Sequence, residues 1–151
     1  MDAAGIYARQ SDALGRYVQL GVAGDRVVSV SFPETAPENA DSDHPLLDRV
    51  DGYLAGAEDD LADVPVGLTV PTDQRAVLEA VRKVPYGEEV SLERVLAMAA
   101  GLDPDREEDV ETARAALAEN PVPLFVPDHR VRDGPSGAPR DVAAFLRDLE
   151  S

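Results

Sequence analysis

The chain has 151 residues and a formal charge of −16, from 14 Lys and Arg against 30 Asp and Glu. It has no cysteine and only two histidines, His44 and His129, which excludes disulfides, thiolate metal sites, a cysteine nucleophile and a histidine-rich metal centre. A hydrophobic fraction of 44% is too high for a disordered acidic chain, and no apolar run approaches the roughly 20 residues needed to cross a bilayer. The N-terminal MDAAGIYARQSDALG has no basic-then-apolar leader pattern, so the expectation is a soluble cytoplasmic monomer with no membrane partner. Lys83 is the only lysine. Arginine retained under so acidic a surface fits a halophile, because at about 1 M salt the Debye length is only ~3 Å and carboxylate repulsion is screened.

In chain order, residues 16–32 read as a hairpin: RYVQLGV alternates, Ala23-Gly24-Asp25 is a turn signal, and RVVSVSF alternates again. Residues 33–45 hold three prolines among small polar and acidic residues and read as a loop. PLLDRVDGYLA, residues 45–55, places Leu46, Leu47, Val50 and Leu54 at helical spacing, with Gly56 as a stop. An irregular crossing follows. Thr72 is the expected N-cap of a helix with the stripe Ala76, Val77, Ala80, Val81 and Val84, ended by Pro85-Tyr86-Gly87. Ser91 is the expected cap of a second helix, stopped by Gly101. Asp103-Pro104 is the expected start of a third, running to Asn120-Pro121. Val122 through Val126 read as a buried strand. The last helix spans about 139–150, with Val142, Phe145, Leu146 and Leu149 inward. Three helices and an extended segment suit a winged helix-turn-helix module.

The chemistry gathers in VPYGEEVS, residues 84–91, and NPVPLFVPDHR, residues 120–130. The Asn120 amide can tie the turn that follows it. Pro127 forces an extended turn and presents Asp128, His129 and Arg130 just beyond it. Two readings stand: polar groups displayed at the end of a buried strand, where sites often sit, or a salt-bridged turn in which His129 meets Glu150 or Asp128.

These segments resemble the alkylguanine-DNA alkyltransferases, also called methylated-DNA–protein-cysteine methyltransferases. That family carries an I-P-Y-G-E-x-x-S-Y run, an R-A-V-G recognition-helix motif, then N-P followed by P-C-H-R-V. This chain has VPYGEEVSL, VETARAALAENPVP and PDHRV in the same order, and its last helix ends in Glu150. The first half resembles the family's N-terminal domain, so the resemblance covers nearly the whole chain. It implies an α+β fold. A small strand-containing N-terminal domain would occupy 1–66 and a helical winged-helix DNA-binding domain 70–151. It implies no cofactor and no metal. It places pocket and DNA-contact roles at Tyr86, Ser91, Glu111, Arg114, Asn120, Pro127 and Arg130, and the activating relay at His129 and Glu150.

The departures bear on function. The acceptor cysteine falls on Asp128, and a carboxylate is a weaker nucleophile than an activated thiolate. The intercalating arginine falls on Glu111, the motif glycine on Arg114, and the tyrosine after the serine on Leu92. The loop RDGPSGAPRD is shorter than its family counterpart and lacks its tyrosine. Residues 103–119 carry seven acids against Arg106 and Arg114, which offers no attraction to phosphates. The leading expectation is a non-enzymatic alkyltransferase-like protein that binds double-stranded DNA with alkylated guanine, and a repair protein as partner. The competing expectation is an interaction module without DNA. A hydrolase built on Asp128 and His129 is the third.

Overall fold

The structure, a computed structural model, describes residues 5–59 and 61–151. The expected N-terminal unit thus begins, at residues 1–4, outside the described residues, as does residue 60. The hairpin is present as β2 (Arg16–Ala23) and β3 (Arg26–Ser31), and a preceding strand, β1 (Gly5–Ser11), completes an antiparallel sheet in the order β1-β2-β3. Ser11 faces Arg16 and Gly5 faces Val22. The tight turns need left-handed backbone at Gly15 (φ 67°) and Gly24 (φ 63°), which glycine adopts without a Cβ clash. Val18, Leu20 and Val22 of β2, with Val27 and Val30 of β3, form the buried face.

Helix α1 (Pro45–Leu54) starts where expected. Proline stands in its first turn, and the His44 Nδ1 accepts a hydrogen bond from the Leu46 amide at 3.1 Å. It buries Leu47, Val50, Tyr53 and Leu54. The crossing segment runs beside β3, with the Gly67 amide donating to the Val27 carbonyl and the Val27 amide to Pro65. Helix α2 (Thr72–Val81) has Pro71, not Thr72, at the cap position, and no side chain caps it. Thr72 is already helical, after Pro71 enters at φ −54° and ψ 149°. Helix α3 (Leu92–Met98) is capped by Ser91, whose Oγ accepts from the Arg94 amide at 3.1 Å.

Helix α4 (Glu107–Ala118) starts later than Asp103-Pro104 suggests. The Asp103 carboxylate accepts from the Asp105 amide at 2.8 Å, and its own amide is held by Asp109 at 2.9 Å, so Asp103 closes a separate turn instead of capping the helix. Residues 122–126 are not a strand. The Val126 amide donates to the Val122 carbonyl at 2.9 Å and Leu124 takes φ 82°, so the segment folds back on itself as a buried turn. Helix α5 (Arg140–Glu150) buries Val142, Ala143 and Leu146, while Phe145 and Leu149 are half-buried at its edge. One cluster of buried side chains extends from Val18 in the sheet through Leu78 and Leu117 to Leu146. Each fully buried Leu there contributes about 1.5–3 kcal/mol. No described helix is long and apolar enough to cross a membrane.

Candidate functional site

The end of α4, the buried turn and α5 together place the site. Val122, Pro123, Leu124, Phe125 and Val126 are buried, and the chain stays buried through Pro127. A 3-10 turn follows at Asp128–Arg130. Its three side chains are 1%, 2% and 2% exposed. Three consecutive ionisable groups out of water require partners, and each has them.

Asp128 meets three donors. Ser136 Oγ donates to Oδ1 at 2.5 Å; the Gly137 amide and Asn120 Nδ2 donate to Oδ2 at 2.7 and 3.0 Å. Burial pushes this carboxyl above the usual carboxylate range, and the donors from Ser136, Gly137 and Asn120 only partly offset it. Asn120 is also the tie expected from its position: its Nδ2 donates to the Val126 carbonyl, and its Oδ1 accepts from the Val122 amide. The loop after the turn therefore closes directly over Asp128. Gly137 makes that closure possible, because a Cβ there would lie 2.4 Å from the Asn120 carbonyl oxygen.

His129 and Arg130 turn to a second network, around Glu150. Glu150 Oε2 lies 2.7 Å from His129 Nε2, so that nitrogen carries the proton. Arg130 donates from Nε to Oε1 at 2.8 Å and from Nη2 to Oε2 at 2.9 Å, a bidentate pair, and from Nη1 to the Val84 carbonyl. The Gly87 amide donates to Oε1, and the Tyr53 hydroxyl donates to Oε2. Burial raises the Glu150 carboxyl, but the hydrogen bonds from His129 and Arg130 overcome it and hold the group well below the usual range. Burial, then the bond to Glu150, pushes the Tyr53 hydroxyl far up, so it stays a donor. His129 Nδ1 is buried with no hydrogen-bond partner among the described residues. A small hollow of about 90 Å³ lies beside this network, between Gly87, His129, Arg147 and Glu150.

The structure thus joins Asp128, Asn120 and Pro127 on one side, and His129, Arg130 and Glu150 on the other. Tyr86 joins the second group, edge-on to Tyr53 with ring centroids 6.0 Å apart and 5.8 Å below the Arg130 guanidinium. Ser91 is a helix cap, and Leu92 is buried with its amide donating to Asp133 at 2.6 Å. Glu111 and Arg114 stand on the exposed face of α4, outside both networks. Sequence reasoning missed Tyr53, Ser136, Gly137 and Asp133. Nothing local to Tyr53 announces a partner 97 residues away. Among the described residues no group of His, Asp and Glu is placed to hold a metal ion.

Comparison with known proteins bears on this geometry. Residues 72–146 match the family model for the DNA binding domain of 6-O-methylguanine DNA methyltransferase. The chain is 30% identical over 131 residues to the methylated-DNA–protein-cysteine methyltransferase of Metallosphaera sedula, spanning 83% of this chain and 80% of that one. The corresponding Methanopyrus kandleri protein is 36% identical over 88 residues, 58% of this chain and 62% of that one. Among solved structures, Mycobacterium tuberculosis OGT in complex with DNA superposes with a TM-score of 0.73 at 21% identity, over 97% of this chain and 92% of that one. The O6-methylguanine-DNA methyltransferase of Pyrococcus kodakaraensis gives 0.62 at 19%, over 100% and 99%. These structures share the α+β fold seen here. With a relative at 30% identity along most of both chains, this protein belongs to the alkylguanine-DNA alkyltransferase family.

Proposed function

We propose that this family member binds duplex DNA without accepting an alkyl group. The observation that carries the reading is Asp128. It stands where the family resemblance puts the acceptor thiol, in a chain with no cysteine, and it is 1% exposed under a loop that supplies two of its three donors. A carboxylate so enclosed is a poor nucleophile toward a guanine alkyl group, because it is 1% exposed and its oxygens already accept from Ser136, Gly137 and Asn120. His129 and Glu150 then hold the turn together instead of activating a thiol. This reading keeps the division at 1–66 and 70–151, with α4 as the element that meets the duplex in a winged-helix unit. The match of residues 72–146 to a DNA binding domain, and the solved complex of Mycobacterium tuberculosis OGT with DNA, support duplex binding itself.

The test is duplex binding by fluorescence anisotropy across a salt series, with methylguanine-containing and plain DNA. The expected result is saturable binding that weakens as salt rises. No binding at the lowest salt that keeps the chain folded would contradict the reading. It would favour the second one, a protein-interaction module, for which the exposed carboxylates Glu107, Glu108 and Glu111 on α4 speak.

A further inference from the structure

A groove of about 450 Å³ lies between the start of β3, the segment 65–69 and the outer face of α2. Among the described residues, the guanidinium groups of Arg26 and Arg75 line it, with Arg82 at its edge and the Glu79 carboxylate beside them. Each arginine is steered by backbone. Arg26 Nη1 donates to the Val66 carbonyl at 3.2 Å and Arg75 Nη2 to Leu68 at 2.7 Å; Arg82 Nη2 reaches Ala62 and Val64 at 2.8 and 2.7 Å. For Arg26 and Arg75 the carbonyl fixes the plane of the guanidinium without neutralising it, and a guanidinium has five N–H donors to offer. The ion pairs found among the described residues involve Arg9, Arg16, Arg49, Arg106, His129 and Arg130, and neither Arg26 nor Arg75. In a chain of charge −16, a groove that brings together Arg26 and Arg75, both outside those ion pairs, is the reverse of the general surface.

The groove wall is shaped to suit. At Gly67 a Cβ would come within 3.0 Å of Val28 Cγ1, so the bare backbone lets the segment pack close against β3 beside Arg26. Pro65, Val66 and Leu68 add apolar surface beside the charges. Guanidinium forks match phosphate oxygens, and the volume falls in the range of about 300–1,000 Å³ typical of small-molecule sites. We propose that this groove binds a phosphorylated small molecule of nucleotide size, its phosphate on Arg26 and Arg75 and its uncharged part on the apolar wall. None of these residues belongs to the Asp128 or Glu150 networks, so the proposal stands apart from the function above.

ADP, inorganic phosphate and a plain DNA duplex are the probes, each titrated calorimetrically into the full chain. ADP should bind saturably and more tightly than inorganic phosphate. The Arg26→Gln/Arg75→Gln double variant should weaken ADP by at least about tenfold, a loss typical of removing charged phosphate contacts, with an unchanged melting temperature. Arg132→Gln, outside the groove, should leave ADP binding unaltered, as should Glu111→Arg on α4. Absence of saturable ADP binding, or ADP binding that the double variant retains, overturns the proposal. Inorganic phosphate binding as tightly as ADP overturns the size assignment. If the double variant loses only duplex binding, the groove is a nucleic-acid contact and the small-molecule reading is wrong.

Discussion

Replacing Glu150 with Gln tests whether the second network is the anchor of the site. In the native chain Arg130 is 2% exposed and spends two charge-assisted bonds, at 2.8 and 2.9 Å, on the Glu150 carboxylate. Glutamine keeps the shape but removes the countercharge and one of the two acceptor oxygens, leaving a buried guanidinium with neutral acceptors, the glutamine amide oxygen and the Val84 carbonyl. Breaking a buried pair from one side costs about 3–5 kcal/mol, against a total stability of about 5–15 kcal/mol. At about 2–4 °C per kcal/mol for a chain of this size, the melting temperature should fall by about 6–20 °C. The pH dependence carries the sign. Glu150 is depressed in the folded state, so its contribution is complete above the ordinary glutamate range near 4.5 and fades as pH falls toward its folded value. Melts followed by circular dichroism should show the gap between native chain and variant widest at neutral pH and narrowing below about pH 4.5. A variant as stable as the native chain at pH 7 would falsify the anchor role.

Three further outcomes are expected. Tyr53→Phe removes a donor to a buried carboxylate and should cost about 1–3 kcal/mol in chemical denaturation; no measurable loss would mean Tyr53 only fills space. Asp128 is raised by burial, so the folded chain holds its proton more tightly, and stability falls as pH rises from the ordinary aspartate value near 3.8 through the raised one. Asp128→Asn should remove that slope and leave the chain at least as stable at neutral pH, whereas a steeper decline with pH would contradict the assignment. Glu111→Arg changes the exposed face of α4 by two charges and should strengthen duplex binding by about 1–3 kcal/mol with a steeper salt dependence; an unchanged affinity would place the duplex contact elsewhere.

Local patterns carried much of the fold. Alternation in 16–32 marked β2 and β3, and the spacing of Leu47, Val50 and Leu54 marked α1. Ser91 announced its own cap. β1 escaped because GIYARQS mixes polar and apolar residues on both faces, and its pairing with β2 and a contact with residue 41 decide it. The apolar run 122–126 reads as extended from its sequence, since burial and chain direction look alike in a short run; Asn120 bridging to Val126 bends it into a turn. At the site, the order of motifs pointed to Asp128, His129 and Glu150. The closed loop was not legible. It depends on Gly137 tolerating a 2.4 Å approach that no side chain would survive, and on Ser136 finding Asp128 across an eight-residue separation. Asp133 capping the Leu92 amide is likewise a tertiary bond that neither segment signals alone.

The central claim is that the acceptor position has become part of the scaffold. Its most direct test is incubation of the full chain with duplex DNA carrying isotopically labelled methyl on guanine O6, at the salt that keeps the chain folded, followed by intact-mass and peptide analysis. The account predicts no label in the protein and the methylguanine intact in the DNA. Label covalently bound to Asp128 would contradict it and establish a carboxylate acceptor.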